Sequence, residues 1–545
     1  AVSAMKCTPQ STMTSANAAY HGLYITAGSS NVFTGDWIYN PAGGAASFSN
    51  AFYNTLTLST VQSNGAGQTA LYLAGSDGNT ISSSTLRAPS GYGLQLGVTA
   101  RWNLVDLSTM SSSDVSYFAL YILSGASSNT ITRSWLYNSA AEAVRIAGNS
   151  NVISLSTAYA TGSGSRALWI NGGDLNVISR SRLTGIAGEA AYLDAGADSN
   201  VIDRSTLTAA AAARALYISG SASNTVSGSY LQNLFGNAVT FTGGAGWNTV
   251  SQSTVIANIG GNYAFYITNS ASNTISGTTI RNSADISLAL MNGADRNTVE
   301  NSTITATAAG FSAVYLIASD DNRVTGSYLQ HQNGYAARLD TGSDANVIAQ
   351  STMVGGGAGG AAVWLNGAAS NTVTGSSLRS TIASALLIQG SANFNTVRAS
   401  TLTTNAAPGS GFALRVSGSS ATTIVDSYVQ SATAAVVSGS TATIVGGTVF
   451  VATNTAGTAL AFMDGAMSLR IATSTLLAPS LGRGLALPPD NAGTLSLGSV
   501  TFSGAMRGIE ITTQAAGFTL SIDSVTFRNL SAGSTAIHFL GGTFD

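Results

Sequence analysis

The stretch Ser-Asn-Thr-Ile-Ser-Gly-Thr-Thr-Ile at residues 272–280 decides the fold, because close copies of it recur along the chain. Three clear copies are Ser-Asn-Val-Ile-Asp-Arg-Ser-Thr-Leu at 199–207, Ser-Asn-Thr-Val-Ser-Gly-Ser-Tyr-Leu at 223–231 and Ser-Asn-Thr-Val-Thr-Gly-Ser-Ser-Leu at 370–378. Their asparagine recurs at intervals of 22 to 26 residues, as Asn31, Asn54, Asn79, Asn103, Asn129, Asn151, Asn176, Asn200, Asn224, Asn248, Asn273, Asn297, Asn322, Asn346, Asn371 and Asn395. Self-similarity at such a period is typical of a stacked repeat protein.

Each repeat holds two short apolar segments and no helical pattern. The second segment reads Ala-Leu-Tyr-Ile at 215–218 and Ala-Val-Trp-Leu at 362–365. Period-2 alternation over so few residues predicts β-strands, and a repeat this small must stack on its neighbours to bury them. Asn tolerates the left-handed conformation of a tight corner, so the Asn column predicts a hydrogen-bonded amide ladder along a parallel β-solenoid.

A second column lies five residues after the asparagine. It holds a small hydroxyl residue in almost every repeat, at Ser59, Ser84, Ser108, Ser134, Ser156, Ser181, Ser205, Ser229, Ser253, Thr278, Ser302, Ser327, Ser351, Ser376 and Ser400. Beyond residue 404 the pattern weakens, with Thr422, Thr441, Ser468, Thr494 and Phe518 near the asparagine position. The sequence predicts one continuous solenoid over 1–545, regular over 1–404 and degenerate over 405–545.

These turns resemble those of the right-handed parallel β-helix proteins of the pectate-lyase-like superfamily. The resemblance implies an all-β, right-handed parallel β-helix of about 22 coils of ~24 residues. It says little about activity, because that superfamily includes lyases, hydrolases, epimerases, phage tailspikes and adhesive surface proteins. The chain is more similar to the surface and adhesive members than to the enzymes, since it has no Asp-Pro-His-Glu, Asn-Thr-Asp or Gly-His-Gly tract.

A slower period lies above the coil period. Six residues after the asparagine a large aromatic appears in every fourth coil, with spacings of 98, 95, 98 and 100 residues, at Trp37, Trp135, Tyr230, Tyr328 and Tyr428. The simplest account is duplication of a four-coil block of ~98 residues.

Polar side chains that could carry chemistry are scattered. His21, His331 and His538 lie many coils apart, and Asp194 and Asp340 share a coil position but are six coils apart. A glycan-cleaving site needs carboxylates brought together. Because no such cluster is found, the sequence predicts no enzymatic activity, no catalytic residues, no metal and no cofactor.

One charged series stands out. Glu142, Arg166, Glu189 and Arg214 each precede the second apolar strand in consecutive coils, which predicts a ladder of salt bridges. An acid–base or calcium site is the alternative for this charge ladder.

The outward position of the second strand carries an aromatic stripe. We define the stripe as Tyr72, Tyr121, Trp169, Tyr192, Tyr217, Tyr266, Tyr315 and Trp364, because the apolar residues on either side of each point inward. The stripe could stack on sugars, contact a neighbouring rod or a loop, or only stiffen the sheet.

The amino-acid composition excludes some classes of function. Only 8% of the residues are charged and the net charge is −2, so no basic face is available for nucleic acid. No apolar run is long enough to span a bilayer. We expect an extracellular or cell-surface structural or adhesive rod whose partner is another copy or a surface glycan. The alternative is a polysaccharide-binding or polysaccharide-cleaving β-helix.

The ends of the sequence raise a further expectation. Lys6 falls at the asparagine position, so the chain would begin inside a coil, and Asp545 stops before another corner. Uncapped coils would favour a longer protein or end-to-end stacking into a filament. Cys7 has no partner cysteine.

Overall fold

The computed structural model describes residues 10–357, 359–463, 466–515 and 517–540. It divides into two compact units, Ala1–Thr279 and Ile280–Asp545, and we describe each by itself. The single continuous solenoid over 1–545 therefore stays a prediction. Lys6, Cys7 and Asp545 lie outside the described residues, as does the predicted start within a coil.

Each coil contributes one strand to each of three parallel sheets. Sheet 1 follows the asparagine, sheet 2 follows the hydroxyl column, and sheet 3 contains the second apolar segment of the repeat. No helix is found among the described residues. The parallel β-solenoid is confirmed, with 21 strands of sheet 1 and 22 each of sheets 2 and 3 over both units.

In the first unit, the sheet 1 strands are Val32–Thr34, Thr55–Thr57, Thr80–Ser82, Leu104–Asp106, Thr130–Thr132, Val152–Ser154, Val177–Ser179, Val201–Asp203, Thr225–Ser227, Thr249–Ser251 and Thr274–Ser276. The sheet 2 strands are Thr12–Thr14, Trp37–Asn40, Thr60–Ser63, Thr85–Ala88, Thr109–Ser112, Trp135–Asn138, Thr157–Ala160, Arg182–Gly185, Thr206–Ala209, Tyr230–Asn233 and Thr254–Ala257. The sheet 3 strands are Leu23–Thr26, Ala46–Ser49, Leu71–Ala74, Leu94–Leu96, Leu120–Ile122, Val144–Ile146, Leu168–Asn171, Ala191–Asp194, Leu216–Ser219, Val239–Thr242 and Phe265–Thr268.

In the second unit, the sheet 1 strands are Thr298–Glu300, Arg323–Thr325, Val347–Ala349, Thr372–Thr374, Thr396–Arg398, Thr423–Val425, Thr443–Gly446, Ala466–Ala472, Ala492–Gly498 and Thr519–Asp523. The sheet 2 strands are Thr279–Asn282, whose first residue is the last of the first unit, and Thr303–Ala306, Tyr328–His331, Thr352–Gly355, Ser377–Ser380, Thr401–Thr404, Tyr428–Ser431, Val449–Ala452, Thr475–Leu477, Thr501–Ser503 and Thr526–Arg528. The sheet 3 strands are Leu288–Met291, Ser312–Ile317, Tyr335–Asp340, Val363–Asn366, Leu386–Gln389, Leu414–Ser417, Ala435–Ser438, Thr458–Met463, Arg483–Leu487, Arg507–Thr512 and Thr535–Leu540.

The core is built from one apolar column per strand position. In sheet 1 the middle residue of each three-residue strand points inward, and Val226, Val250 and Ile275 stack in register at no more than 2% exposure. In sheet 3 two inward residues flank each outward one, as Leu216 and Ile218 flank Tyr217. Parallel in-register pairing puts like residues on top of each other, so a short repeat is enough to specify the core.

The Asn column forms the predicted amide ladder. Asn79 donates both its backbone N–H and its Nδ2–H to Oδ1 of Asn103, at 2.9 and 3.0 Å. Asn103 donates in the same way to Oδ1 of Asn129, at 3.0 and 2.9 Å. These amides are buried, so the pairing satisfies donors that water cannot reach. The hydroxyl column does the same at the next corner, where Oγ of Ser84 accepts from the backbone N–H of Ser59 at 3.2 Å.

Left-handed backbone occupies the residue before each ladder asparagine, and not the asparagine itself as expected from the sequence, because the asparagine contributes to the corner through its side-chain amide. We call these positions of the first unit the corner column, with φ between +56° and +66° at Ser30, Tyr53, Gly78, Trp102, Ser128, Ser150, Leu175, Ser199, Ser223, Trp247 and Ser272. Most members are small, because L-residues with large side chains seldom adopt this conformation.

The degenerate coils keep the fold but exchange the amide ladder for apolar packing. Thr422 lies at the ladder position, as expected from the sequence. In register with it come Thr443, Leu469, Leu495 and Leu520, so Thr441, Ser468, Thr494 and Phe518 lie one or two residues too early. Leu469 and Leu495 are 3% and 1% exposed. A buried leucine needs no hydrogen-bond partner, so the corner asparagine is dispensable where the core extends to the corner.

Candidate functional site

The aromatic stripe lies on the outer face of sheet 3, and all eight of its residues are half-buried. In the first unit, consecutive coils pair Tyr121 with Arg145, Arg145 with Trp169, Trp169 with Tyr192 and Tyr192 with Tyr217. Gln95 occupies the same outward position between Tyr72 and Tyr121. Gln95 was not among the predicted residues of this column, although Leu-Gln-Leu carries the same apolar flanks.

The central rings of the stripe contact one another along the stacking direction. The Tyr192 and Tyr217 rings lie 4.8 Å apart, centroid to centroid, with 16° between their planes. Trp169 stacks on Tyr192 at 6.4 Å and 20°. The Arg166 guanidinium lies over both Trp169 and Tyr192, at 4.8 and 4.6 Å from their centroids. These rings therefore have neighbours over their faces.

Arg145 interrupts the stripe inside a cage of aromatic rings. Its guanidinium carbon lies 4.1 Å from the Trp169 centroid, 5.5 Å from that of Tyr121 and 5.6 Å from that of Phe118. One Nη donates to Oδ1 of Asn171 at 2.9 Å, while Nε is buried without a hydrogen-bond partner. No carboxylate of the described residues forms an ion pair with Arg145, so its charge is balanced only by ring faces and an amide.

The charge ladder forms next to this cage. Arg166 contacts Glu142 at 3.0 Å and Glu189 at 3.5 Å, and Arg214 contacts Glu189 at 3.4 Å. The Glu142 and Glu189 carboxylates thus share one guanidinium across three consecutive coils. Among the described residues, no group of three or more His, Cys, Asp or Glu side chains is arranged to hold a metal ion.

Asp194 accepts two hydrogen bonds from side chains that contact or adjoin the Arg145 cage. The indole Nε1–H of Trp169 donates to its Oδ1 at 2.8 Å, and Nδ2–H of Asn171 donates to the same oxygen at 2.9 Å. Burial, together with the nearby Asp194 carboxylate, raises the pKa of Tyr192 to about 12. The Tyr192 hydroxyl is itself hydrogen-bonded to this carboxylate.

The second unit contains a related cluster. Tyr315, Arg338 and Trp364 occupy the outward position of three consecutive sheet 3 strands. Arg338 lies over the Trp364 ring at 4.4 Å and also pairs with Asp340, through Nε at 3.0 Å and Nη2 at 2.7 Å. The Tyr315 hydroxyl donates to Oδ2 of Asp340 at 2.7 Å. This guanidinium has a carboxylate partner.

The remaining candidates lie away from sheet 3. The periodic aromatics are each the first residue of a sheet 2 strand: Trp37, Trp135, Tyr328 and Tyr428 are exposed and Tyr230 is half-buried. Trp135 stacks on Tyr159 of the next coil at 6.0 Å. His331 ends a sheet 2 strand and is fully buried, and this burial lowers its pKa to about 4. The structure brings neither group to the stripe.

No helix of the described residues has the length and hydropathy needed to cross a bilayer. A search of the curated proteins found no match to this chain.

Solved structures similar to this chain include the Dettilon tailspike protein gp208, with a TM-score of 0.39 and 12% identity over 52% of this chain and 60% of that one. A DFA-IIIase from Arthrobacter chlorophenolicus A6, in complex with GF2, matches with a TM-score of 0.34 and 11% identity over 58% of this chain and 83% of that one. Tailspike protein 3 of bacteriophage CBA120 matches with a TM-score of 0.32 and 9% identity over 67% and 54%. The chain thus spans less than two thirds of each tailspike.

The expectation that the chain is not an enzyme needs correction. An enzyme, DFA-IIIase, is among the proteins whose structures match it. The missing motifs of the sequence analysis belong to particular enzymes of this fold, and their absence cannot exclude catalysis by other residues on the same scaffold.

The family model described as right handed beta helix region matches residues 119–263, 260–378 and 287–454. Together these segments cover more than half of the chain, and they coincide with coils whose three parallel sheets the structure describes. The chain therefore belongs to the right-handed β-helix family.

Proposed function

We propose that this protein binds an acidic polysaccharide on the outer face of sheet 3 in its first unit. The observation that carries the proposal is Arg145, a caged guanidinium without a carboxylate partner among the described residues. Arginine keeps its charge at any physiological pH, and its planar fork matches a carboxylate. A uronate carboxylate is the sugar substituent that would complete its coordination.

The surroundings of Arg145 suit a chain of sugars. The Asn171 amide on the next coil bonds both Arg145 and Asp194, and it keeps one N–H and one lone pair for a sugar hydroxyl. Because neighbouring groups lie over the faces of Trp169 and Tyr192, we propose that sugars contact ring edges and polar groups there. In this arrangement the aromatic stripe holds neighbouring polar groups in place for the sugar chain and also contacts the sugars directly.

This proposal adopts the glycan-binding alternative of the sequence analysis in place of a structural or adhesive rod. Self-association, a filament and an adhesive role are not needed to account for the Arg145 cage. An extracellular or cell-surface location goes with the proposal, because acidic polysaccharides of this kind are components of surfaces and matrices.

A second candidate function is cleavage of the bound chain. Glu142 and Glu189 approach Arg166 from the coils on either side of it, at 3.0 and 3.5 Å. Two carboxylates on one surface are the groups that hydrolysis of a glycosidic bond requires. In this role one of them would act as the acid and the other as the base, with Arg166 between them.

Isothermal titration with hexagalacturonate and with an alginate hexamer tests the binding proposal. Arg145→Gln should weaken binding about 30-fold, since a charge-assisted hydrogen-bond pair is lost, and Arg145→Lys should recover only part of it. Arg338→Gln is the matched control, because that guanidinium already has Asp340 as its partner. Equal binding by wild type and Arg145→Gln would contradict the proposal.

The cleavage candidate has its own readout. The same hexamers are incubated with the protein and their products separated by chromatography. Shorter products that disappear in both Glu142→Gln and Glu189→Gln, while binding persists, would support cleavage. Intact hexamers with normal binding would leave a binding protein only.

A further inference from the structure

A recess opens in the second unit where one coil has a short connection between sheet 2 and sheet 3. The coil before it joins these two strands with nine residues, 405–413, and the coil after it with five, 453–457. The coil between them uses only three residues, 432–434. The short connection leaves space between its longer neighbours.

A cavity of about 520 Å³ occupies this recess. Its lining comes from four consecutive coils, which span about 14 Å along the stacking direction. Sites for small molecules have volumes of about 300–1,000 Å³. The recess is therefore large enough for a small ligand.

One wall of the recess belongs to sheet 2. Arg379, Thr403 and Gln430 occupy the same outward position of three consecutive strands. Asn405 enters from the nine-residue connection and Thr453 from the five-residue connection. Parallel in-register stacking thus brings five polar side chains to one cavity, although they are spread over 75 positions of the sequence, 379–453.

The polar side chains of the recess keep most of their hydrogen-bonding capacity. Arg379 forms no ion pair or hydrogen bond within the part of the chain that the structure describes. The side chains of Thr403, Asn405 and Thr453 form none there either. A cavity lined by several unused donors is suited to an acceptor-rich ligand.

Tyr428 orients one of these donors. Its hydroxyl donates to Oε1 of Gln430 at 2.8 Å, which leaves the Nε2–H groups of that amide available. Tyr428 is one of the periodic aromatics, and in this coil it acts as a positioning residue for the recess.

The lining favours negative charge. It contains the guanidinium of Arg379, and none of the described residues that line the recess carries a carboxylate. The planar fork of a guanidinium matches the two oxygens of a carboxylate or a phosphate. Amide and hydroxyl groups continue from Arg379 toward Thr453, so a bound anion would meet further hydrogen-bonding partners along its length.

We propose that this recess binds a small oxyanion, a molecule with one carboxylate or phosphate group and with hydroxyl or amide groups along its length. Arg379 pairs with the oxyanion, and the polar side chains that follow along the stacking direction hydrogen-bond to the rest of the ligand. The recess lies in the second unit and takes a small molecule. It is therefore independent of the polysaccharide site at Arg145.

Calorimetric titration of the full chain with two anions and their neutral counterparts tests the proposal. Pantothenate is compared with pantothenol, and glycerol 3-phosphate with glycerol. We expect at least one anion to bind tenfold or more tightly than its counterpart, because the counterpart cannot form the charge-assisted pair with Arg379. Binding of pantothenate alone would identify a carboxylate ligand, and binding of glycerol 3-phosphate alone a phosphate ligand.

Arg379→Gln should weaken binding of the anion about tenfold or more and leave the melting temperature unchanged. Thr453→Val should weaken it about fivefold, since one neutral hydrogen bond is lost. Arg398→Gln is the matched control, because Arg398 is an exposed arginine of the second unit that already has Asp426 as a partner at 3.7 Å. It should bind the anion as the wild type does.

A further variant tests the recess itself. Ala432→Trp keeps every polar side chain but places a large ring in the space above the short connection. It should weaken anion binding as strongly as Arg379→Gln does. Absence of binding of both anions by the wild type, or equal affinity for each anion and its neutral counterpart, would overturn the proposal. Wild-type affinity in Arg379→Gln or Ala432→Trp would also overturn it.

Arg145→Gln should bind the small anion with wild-type affinity, whatever its effect on hexagalacturonate. Failure of the acidic-polysaccharide proposal thus leaves this one standing, and the reverse also holds.

Discussion

Arg145 in the first unit and Arg338 in the second occupy the same outward position of sheet 3, each with a tyrosine on the preceding coil and a tryptophan on the next. They differ in their counter-charge. Asp340 pairs with Arg338 through two nitrogens, whereas Arg145 contacts only rings and Asn171. The same three side chains therefore give a neutralised cluster in one unit and an available cation in the other.

The positions of Asp340 and Asp194 explain this difference in counter-charge. Asp340 lies two residues after Arg338 on the same strand, within reach of its guanidinium. Asp194 lies on the coil after Trp169, where it accepts the indole N–H instead. Moving one carboxylate by two coils changes which group it satisfies, and the charge available to a ligand changes with it.

Arg338→Gln should show the largest effect on stability. It leaves Asp340, whose side chain is 9% exposed, without its cation, and we expect a loss of about 3 kcal/mol. Arg145→Gln should cost less, about 1.5 kcal/mol, because ring contacts and one charge-assisted hydrogen bond to the amide of Asn171 are lost but no buried carboxylate is left without its cation. Urea unfolding, with hydrogen exchange to assign the affected coils, measures both. Equal costs would mean that the two arginines are in equivalent environments after all.

A second prediction compares Asn138 with His331, which both end a sheet 2 strand. Asn138 satisfies its amide fully, accepting from the backbone N–H of Ala140 and Ala141 and donating to two carbonyls. His331 accepts one bond from the N–H of Asn333, and its buried Nε2 has no partner.

Burial of His331 makes the second unit sensitive to acid. Its pKa is lowered to about 4 in the fold, against about 6.5 when unfolded, so protons bind preferentially to the unfolded chain. The contribution of His331 to stability is complete above about pH 6.5 and is lost as the pH drops toward 4, by about 3 kcal/mol. Melting curves between pH 4 and 7 should show this slope, and His331→Asn should remove it. A slope unchanged in His331→Asn would assign the acid sensitivity to the carboxylates.

The smallest predicted effect on stability is the difference between substitutions of Trp169 and Trp364. Trp169→Phe removes the hydrogen bond to Asp194 and should cost about 1.5 kcal/mol. The indole nitrogen of Trp364 is buried without a partner, so Trp364→Phe should be neutral or slightly stabilising. Thermal unfolding of both variants gives the comparison. A cost at Trp364 equal to that at Trp169 would indicate that a bound water or ligand satisfies its indole.

The fold was predictable because the corner asparagines and the apolar strand residues recur at fixed positions of each coil. Asn151 or Asn200 marks a corner wherever it occurs, and the apolar residues on either side alternate with a fixed period. The predicted ladder positions are out of register only after residue 404. There Leu469 and Leu495 take the place of the ladder asparagine, and no polar residue marks the corner.

The candidate sites were predictable only in part. The charge ladder followed from spacing, because stacked coils bring Glu142 and Arg166 together whatever their rotamers. Whether Arg145 has a carboxylate partner depends on side-chain rotamers and on which of two coils holds the aspartate. The spacing of residues along the sequence does not determine either of these.

The Asn ladder also has a direction. In each described pair of the first unit, Oδ1 of the later asparagine accepts from the earlier one, as Oδ1 of Asn151 accepts two donors from Asn129. Replacing Asn151 by alanine would leave the backbone N–H of Asn129 without its acceptor and its Nδ2 with only the Ala100 carbonyl, while the backbone N–H of Asn151 would still reach Oδ1 of Asn176. A substitution in the ladder therefore removes hydrogen bonds mainly from the coil on its N-terminal side and less from the coil on its C-terminal side. During synthesis, a coil leaving the ribosome completes its amide bonds only when the following coil arrives.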